Sequence, residues 1–277
     1  MPDGADPAPP SAAVFPVRKM GFQFDEVPRR WFYDSVLVSD LVNALNLLFP
    51  AGERFFVRSV KHYLPRLQDP GLRARVRAFF GQEGSHGHEH ERAFEMLETQ
   101  GYEVRQWLAW YERVAYDVLE PMVPPNIRLS VTVALEHFTA ALAEVPLTRE
   151  FFEHVHPSMR ELLRWHACEE IEHKAVAFDV LKEVDPRYWV RMIGLVIAGA
   201  TLLGFWRSGA RMLIRQERGY TKAQMKREKQ EARARGQNRM PLLWAVFSYV
   251  RPGFHPDDID NRELARAYLS KIGRLEG

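Results

Sequence analysis

Cysteine is nearly absent: Cys168 is the single one in 277 residues. One thiol closes no internal disulfide and builds neither a zinc ribbon nor an iron–sulfur site. Strand signals are as scarce, with no run of alternating β-branched residues between turn dipeptides. Gly-x-Gly-x-x-Gly, Walker and Gly-x-Ser-x-Gly sequences are missing, which removes dinucleotide, P-loop and nucleophile-elbow readings. His-Glu-x-x-His is missing too, since His88-Glu89-His90-Glu91 has the wrong spacing. There is little net charge: 38 basic and 36 acidic residues give +2, so no nucleic-acid partner is expected. The N-terminus, MPDGADPAPPSAAVFPVRKM, has no basic segment leading into an apolar one and does not read as a secretory signal. With no cysteine pairs, the expectation is a cytoplasmic protein.

What is present is helical periodicity. Hydrophobic residues make up 46% and charged residues 27%, an ordinary globular composition. Three regions are predicted. Residues 1–30, rich in Pro, Ala and Gly, read as a loose arm. Residues 31–186 read as a metal-binding helical bundle. Residues 187–277 read as an apolar helix, a basic stretch and C-terminal helices packed on or beside that bundle. Within the bundle the predicted helices cover about 35–67 (restarting at Pro50), 71–99, 104–119, 126–144 and 158–183, with a short one at 148–155.

The ten histidines are the informative count. Glu83-Gly84-Ser85-His86 and Glu170-Ile171-Glu172-His173 are both Glu-x-x-His. On a helix the histidine lies about 60° round and one turn along from its glutamate, so both reach one point. Glu53 precedes Glu83 by 30 residues, and Glu136 precedes Glu170 by 34. Glu, Glu-x-x-His, Glu, Glu-x-x-His on four helices is the inventory of dimetal carboxylate bundles. The expected fold is therefore all-α, a ferritin-like four-helix bundle with a dimetal centre plus additional C-terminal helices. Carboxylates bridge two divalent ions and neutralise them, and each ion takes an imidazole, leaving positions open for oxygen or substrate.

His90 lies about 20° round the helix from Glu83, and His166 about 40° from Glu170. At least one is expected to bind metal and the other to orient a ligand. Glu169 shares the face of His173 and is the alternative to Glu170. His88 should point away from the site. His137 is read as packing or ligand support, and Cys168 as a packed small residue.

The strings FPAGERFFVRSV, FFGQEGSHGHEHERAF and WHACEEIEHKAVAFDV resemble the bacterial family of predicted metal-dependent hydrolases. Tyr249-Val-Arg-Pro-Gly-Phe-His255-Pro is similar to that family's C-terminal motif, so the resemblance covers roughly residues 20–275. It implies metal dependence through Glu53, Glu83, His86, His90, Glu136, His166, Glu170 and His173. The ligand pattern is also similar to that of ferritin-like di-iron oxidases and oxygenases, arylamine N-oxygenases among them. Those carry an additional histidine, a part open to His90 or His166.

Two divalent metal ions are the expected cofactor, iron first, with manganese and zinc compatible. The main expectation is a dioxygen-activating oxidase or oxygenase acting on a hydrophobic small molecule. The alternatives are a hydrolase using a metal-bound hydroxide and a non-enzymatic metal-binding bundle. Phe79, Phe80, Phe138 and Trp165 are expected to form an apolar pocket. Met192–Trp206 is fifteen residues without a charge, and a basic stretch follows to Arg239. It reads either as a helix covering the bundle, with most of Leu195, Ile197, Leu202 and Phe205 buried, or as a membrane-surface contact through 189–239. The second reading places the protein peripherally at the inner face of the membrane.

Overall fold

The computed structural model describes residues 14–236 and 242–276. Among them the chain is all-α, and the single extended pairing is an isolated bridge between Phe32 and Val155. α1 (Val36–Asn46) starts at Ser35, whose side chain caps the Val38 amide. α2 (Phe49–Lys61) carries Pro50 in its first turn, where no amide donor is needed. α3 (Pro70–Thr99) starts on an Asp69 cap and Pro70. α4 (Arg105–Glu112) continues into a π-helical segment to Leu119. α5 spans Pro125–Thr148, α6 Pro157–His173 and α7 Val176–Val184. α8 (Tyr188–Arg215), α9 (Lys222–Ala234), α10 (Leu242–Tyr249) and α11 (Arg262–Lys271) follow.

Three predicted boundaries are corrected. The helix expected to stop before Pro146 runs to Thr148, with Pro146 inside it. Pro146 withholds one amide from the carbonyl of Leu142, but it stands two residues from the helix end, and Arg164 Nε donates to its otherwise unpaired last-turn carbonyl at 2.8 Å. The helix predicted over 158–183 breaks after His173 although no Pro or Gly marks the place. There the buried Lys174 ammonium donates to Asn261 Oδ1 at 2.8 Å and to the Ile259 carbonyl, a tertiary cause that lies far along the chain. The apolar run 192–206 is the middle of a longer helix, the 28 residues of α8.

α2, α3, α5 and α6 pack together as the central bundle. α8 lies along α5 and α1, α9 on α1, α10 on α5, and α11 against α6. Gly194 makes the closest approach: a Cβ there would sit 2.1 Å from Ser130 Oγ, so α8 rests directly on α5. Residues 14–30 are not loose. Arg18, Phe22, Phe24 and Val27 are buried, with the Phe22 ring 5.6 Å from Trp165. Residues 1–13 lie outside the described residues.

Candidate metal centre

Local helix geometry brings the predicted residues together. Glu53 comes from α2, Glu83, His86 and His90 from α3, Glu136 from α5, and His166, Glu170 and His173 from α6. All eight are buried in the bundle core. Ligand-capable atoms of Glu53, His86 and His166 lie within 4.8 Å of one another, as do those of Glu83, Glu136 and His173, and of Glu83, His86 and Glu170. Glu83 therefore belongs to two overlapping groups. His173 Nε2 stands 3.3 Å from both Glu83 and Glu136 and 3.5 Å from Glu170.

Each imidazole has one nitrogen committed behind it. His173 Nδ1 donates to Gln82 Oε1 at 2.9 Å, which leaves Nε2 facing the carboxylates. His86 Nε2 donates to Glu169 Oε2 at 3.0 Å, which leaves Nδ1 facing inward. Glu169 is thus the support of His86, and Glu170 is the carboxylate in the cluster. Trp165 Nε1 and Arg18 Nη1 each donate to Glu169 Oε1 at 3.0 Å. His166 lies between Glu170 Oε1 at 2.8 Å and His90 Nε2 at 2.6 Å, so His90 stands behind His166 and not in the cluster itself. His88 is exposed. His137 Nε2 donates to the Ala245 carbonyl at 2.9 Å and its ring packs on Tyr249 and Phe254.

Nine inward-facing atoms are buried without any hydrogen-bond partner. They are both oxygens of Glu53, Glu83 and Glu136, with Glu170 Oε2, His86 Nδ1 and His173 Nε2. Buried polar atoms are nearly always paired, so nine orphans converging on one space call for a cation. The charges agree. Burial, then neighbouring carboxylates, push Glu53 and Glu83 well above the usual carboxylate range. Burial carries Glu136 up to about 7. Burial opposes charge on both Glu170 and His173, but Glu136 and then Glu170 hold His173 high, and His173 holds Glu170 low. Without a metal the centre keeps one ion pair, and burial drives Glu53, Glu83 and Glu136 toward the protonated form.

The family model described as a predicted metal-dependent hydrolase matches residues 16–260. The chain belongs to that family. No curated protein and no solved structure matches it. The matched span begins beside Arg18 and takes in Phe254 and His255. His255 Nε2 meets Asp179 Oδ1 at 2.9 Å, so the C-terminal motif pins the tail to α7.

A cavity of about 700 Å³ reaches the centre at His166 and Glu170. Its wall is overwhelmingly apolar and comes mainly from α1, α2, α5 and α8, with Met225 and Ala232 of α9. Of the four aromatics expected to form a pocket, only Phe138 lines it. Phe79 and Trp165 stand edge-on to His173 and His86 at 5.0 Å, and Phe80 packs beside the core. Of the four α8 residues expected to be mostly buried only Leu195 is; Ile197, Leu202 and Phe205 are half-buried because they line the cavity.

Two supports of the site escaped sequence reasoning. Gln82 sits beside Glu83 but on a different face, and no motif names it. Arg18 lies in the segment read as a loose arm, 151 residues from the Glu169 it holds.

Proposed function

We propose that this protein is a dinuclear metalloenzyme that activates dioxygen to oxidise a hydrophobic small molecule. The observation that carries this reading is the junction of nine orphaned ligand atoms with an apolar cavity of about 700 Å³. Glu53, His86 and His166 would hold one ion and Glu136 and His173 the other, with Glu83 and Glu170 between them. Bound iron would supply Lewis acidity and the electrons for dioxygen reduction. Glu169 and Gln82 fix the tautomers of His86 and His173, so each ring offers its free lone pair inward. The apolar wall binds and orients a hydrophobic substrate and keeps bulk water from the centre. Such an approach suits dioxygen better than water, which a hydrolase consumes.

Hydrolysis with the metals as Lewis acids is the second reading, and the family description favours it. Metal analysis and a single-turnover experiment separate the two. Protein loaded anaerobically with ferrous ion should take up oxygen and change its near-ultraviolet absorption in step. Zinc-loaded protein that cleaves carboxylic esters, together with an iron form inert to oxygen, would instead select the hydrolase.

We infer further that the outer face of α8 lies on an anionic lipid surface. Trp189, Ile193, Val196 and Leu203 form one exposed stripe, with Val196 70% exposed. Arg207 and Arg211 extend that stripe. Tyr188 Oη donates to the Val250 carbonyl at 2.7 Å, which sets α10 and its exposed Leu243, Trp244 and Phe247 near the same end. Apolar surface rimmed by cations matches a bilayer interface, and the opposite side of α8, packed on α5, favours lying on it over spanning it.

A further inference from the structure

The geometry points to a substrate with an anionic head, a single-chain carboxylate whose head group is held by Arg128. This rests on the reading of the cavity as the substrate site. Among the α5 residues that line the cavity are Arg128, Val131, Leu135, Thr139 and Leu142. Their spacing of three and four residues is one helical stripe, apolar but for Thr139 and with a cation at its start. Arg128 is half-buried. Its Nε donates to the Val123 carbonyl at 2.7 Å, which ties down the guanidinium. Among the described residues no carboxylate forms an ion pair with it. Glu120, which lines the same cavity, is engaged by Arg58 at 2.6 Å.

A half-buried guanidinium without a counter-ion is costly, and an incoming carboxylate offsets that cost. The planar fork of Nη1 and Nη2 fits two carboxylate oxygens at once. Glu136 lies eight residues further along α5, about 12 Å by helical rise. A substrate gripped at Arg128 would therefore lay an extended apolar chain along Val131 and Leu135 and present its far part to the metal centre. Lys229 and Arg233 also line the cavity, but both are exposed on α9 and offer a rival seat for the head group.

Calorimetric titration of the full chain, metal-free and metal-loaded, with decanoate and with decanol tests the assignment. A charge-assisted bidentate contact predicts that decanoate binds about tenfold or more tightly than decanol. Arg128→Met should erase that preference and leave decanol binding unchanged. Arg128→Lys, which keeps the charge but loses the fork, should retain a reduced preference and serves if the Met variant does not fold. Lys229→Met with Arg233→Met should leave the preference intact. Equal binding of the two ligands by the wild type overturns the proposal, as does a preference that survives Arg128→Met or vanishes in the α9 variant. Failure of both ligands to bind would remove the cavity as the substrate site, a different outcome from a lost head-group preference and independent of any oxygen reaction.

Discussion

Glu169→Gln tests whether His86 holds a metal. The side chains of Glu169 and Arg18 are fully buried, and Glu169 touches three groups: His86, Trp165 and Arg18. Glutamine keeps the shape but removes the charge that draws the His86 Nε2 proton outward. Burial already pushes the Glu169 carboxyl up to about 7, against Arg18, so the charge is held at a cost that a functional support explains. Arg18 keeps its two bonds to Glu172 at 2.7 and 2.9 Å, so the fold should survive. Losing a carboxylate behind a ligating imidazole typically weakens metal binding about 10- to 100-fold, or about 1.4–2.7 kcal/mol. The loss should fall on the ion shared by Glu53, His86 and His166 and spare the one at His173. A metal titration against a chelating dye should therefore turn biphasic, with one strong and one weakened site. Gln82→Leu should weaken the other ion instead. If Glu169→Gln binds both ions with wild-type affinity, His86 is not a ligand and the assignment of the centre is wrong.

Further outcomes are open to direct measurement. Gly194→Ala drives a methyl group to within 2.5 Å of the Ser130 backbone carbon, and should cost about 3 kcal/mol in denaturant unfolding; a neutral result would mean α8 does not press on α5. Burial pushes the Asp40 carboxyl from 3.8 up to about 7. The folded chain thus keeps a proton that the unfolded chain releases, and stability from this group falls as pH rises from about 4 to 7. Asp40→Asn should gain on the wild type across that window, by up to about 4 kcal/mol, and parallel pH profiles would contradict the shift. Val196→Glu with Phe247→Glu should abolish co-sedimentation with phosphatidylglycerol vesicles and leave metal content unchanged; absence of wild-type binding at low salt, or a dimer in solution that the same changes dissociate, would remove the lipid reading.

The residues that reach the centre were legible because their geometry is local. Glu83 with His86, and Glu170 with His173, need only one helical turn to converge, and any helix supplies it. The angular test also placed His166 on the ligand face and turned His88 outward. It could not separate Glu169 from Glu170, because both lie near the His173 face. Arg18 and Trp165 decide between them, and Arg18 arrives from 151 residues away. The break after His173 was invisible for the same reason: Lys174 is drawn to Asn261, in the C-terminal region. The cavity was beyond reach because its wall comes from helices scattered from α1 to α9. Apolar residues at helical spacing read alike whether they face a core or a void.

The buried charges explain why the supports are so numerous. Four glutamates share the core with His86, His166 and His173, and the buried Arg18 is taken up by Glu169 and Glu172. The fold therefore leaves the cluster's own negative charge to be met from outside, by protons or by metal. Protons satisfy the charge but tie no ring or carboxylate to a fixed direction. Divalent ions do both, because each draws several of the orphaned atoms onto one point. Gln82, Glu169 and His90 each pre-set a ring behind the cluster, so little reorganisation remains when an ion arrives. That arrangement suits a site that binds metal, and on the proposed reading the cavity that ends at His166 and Glu170 is where a substrate would meet it.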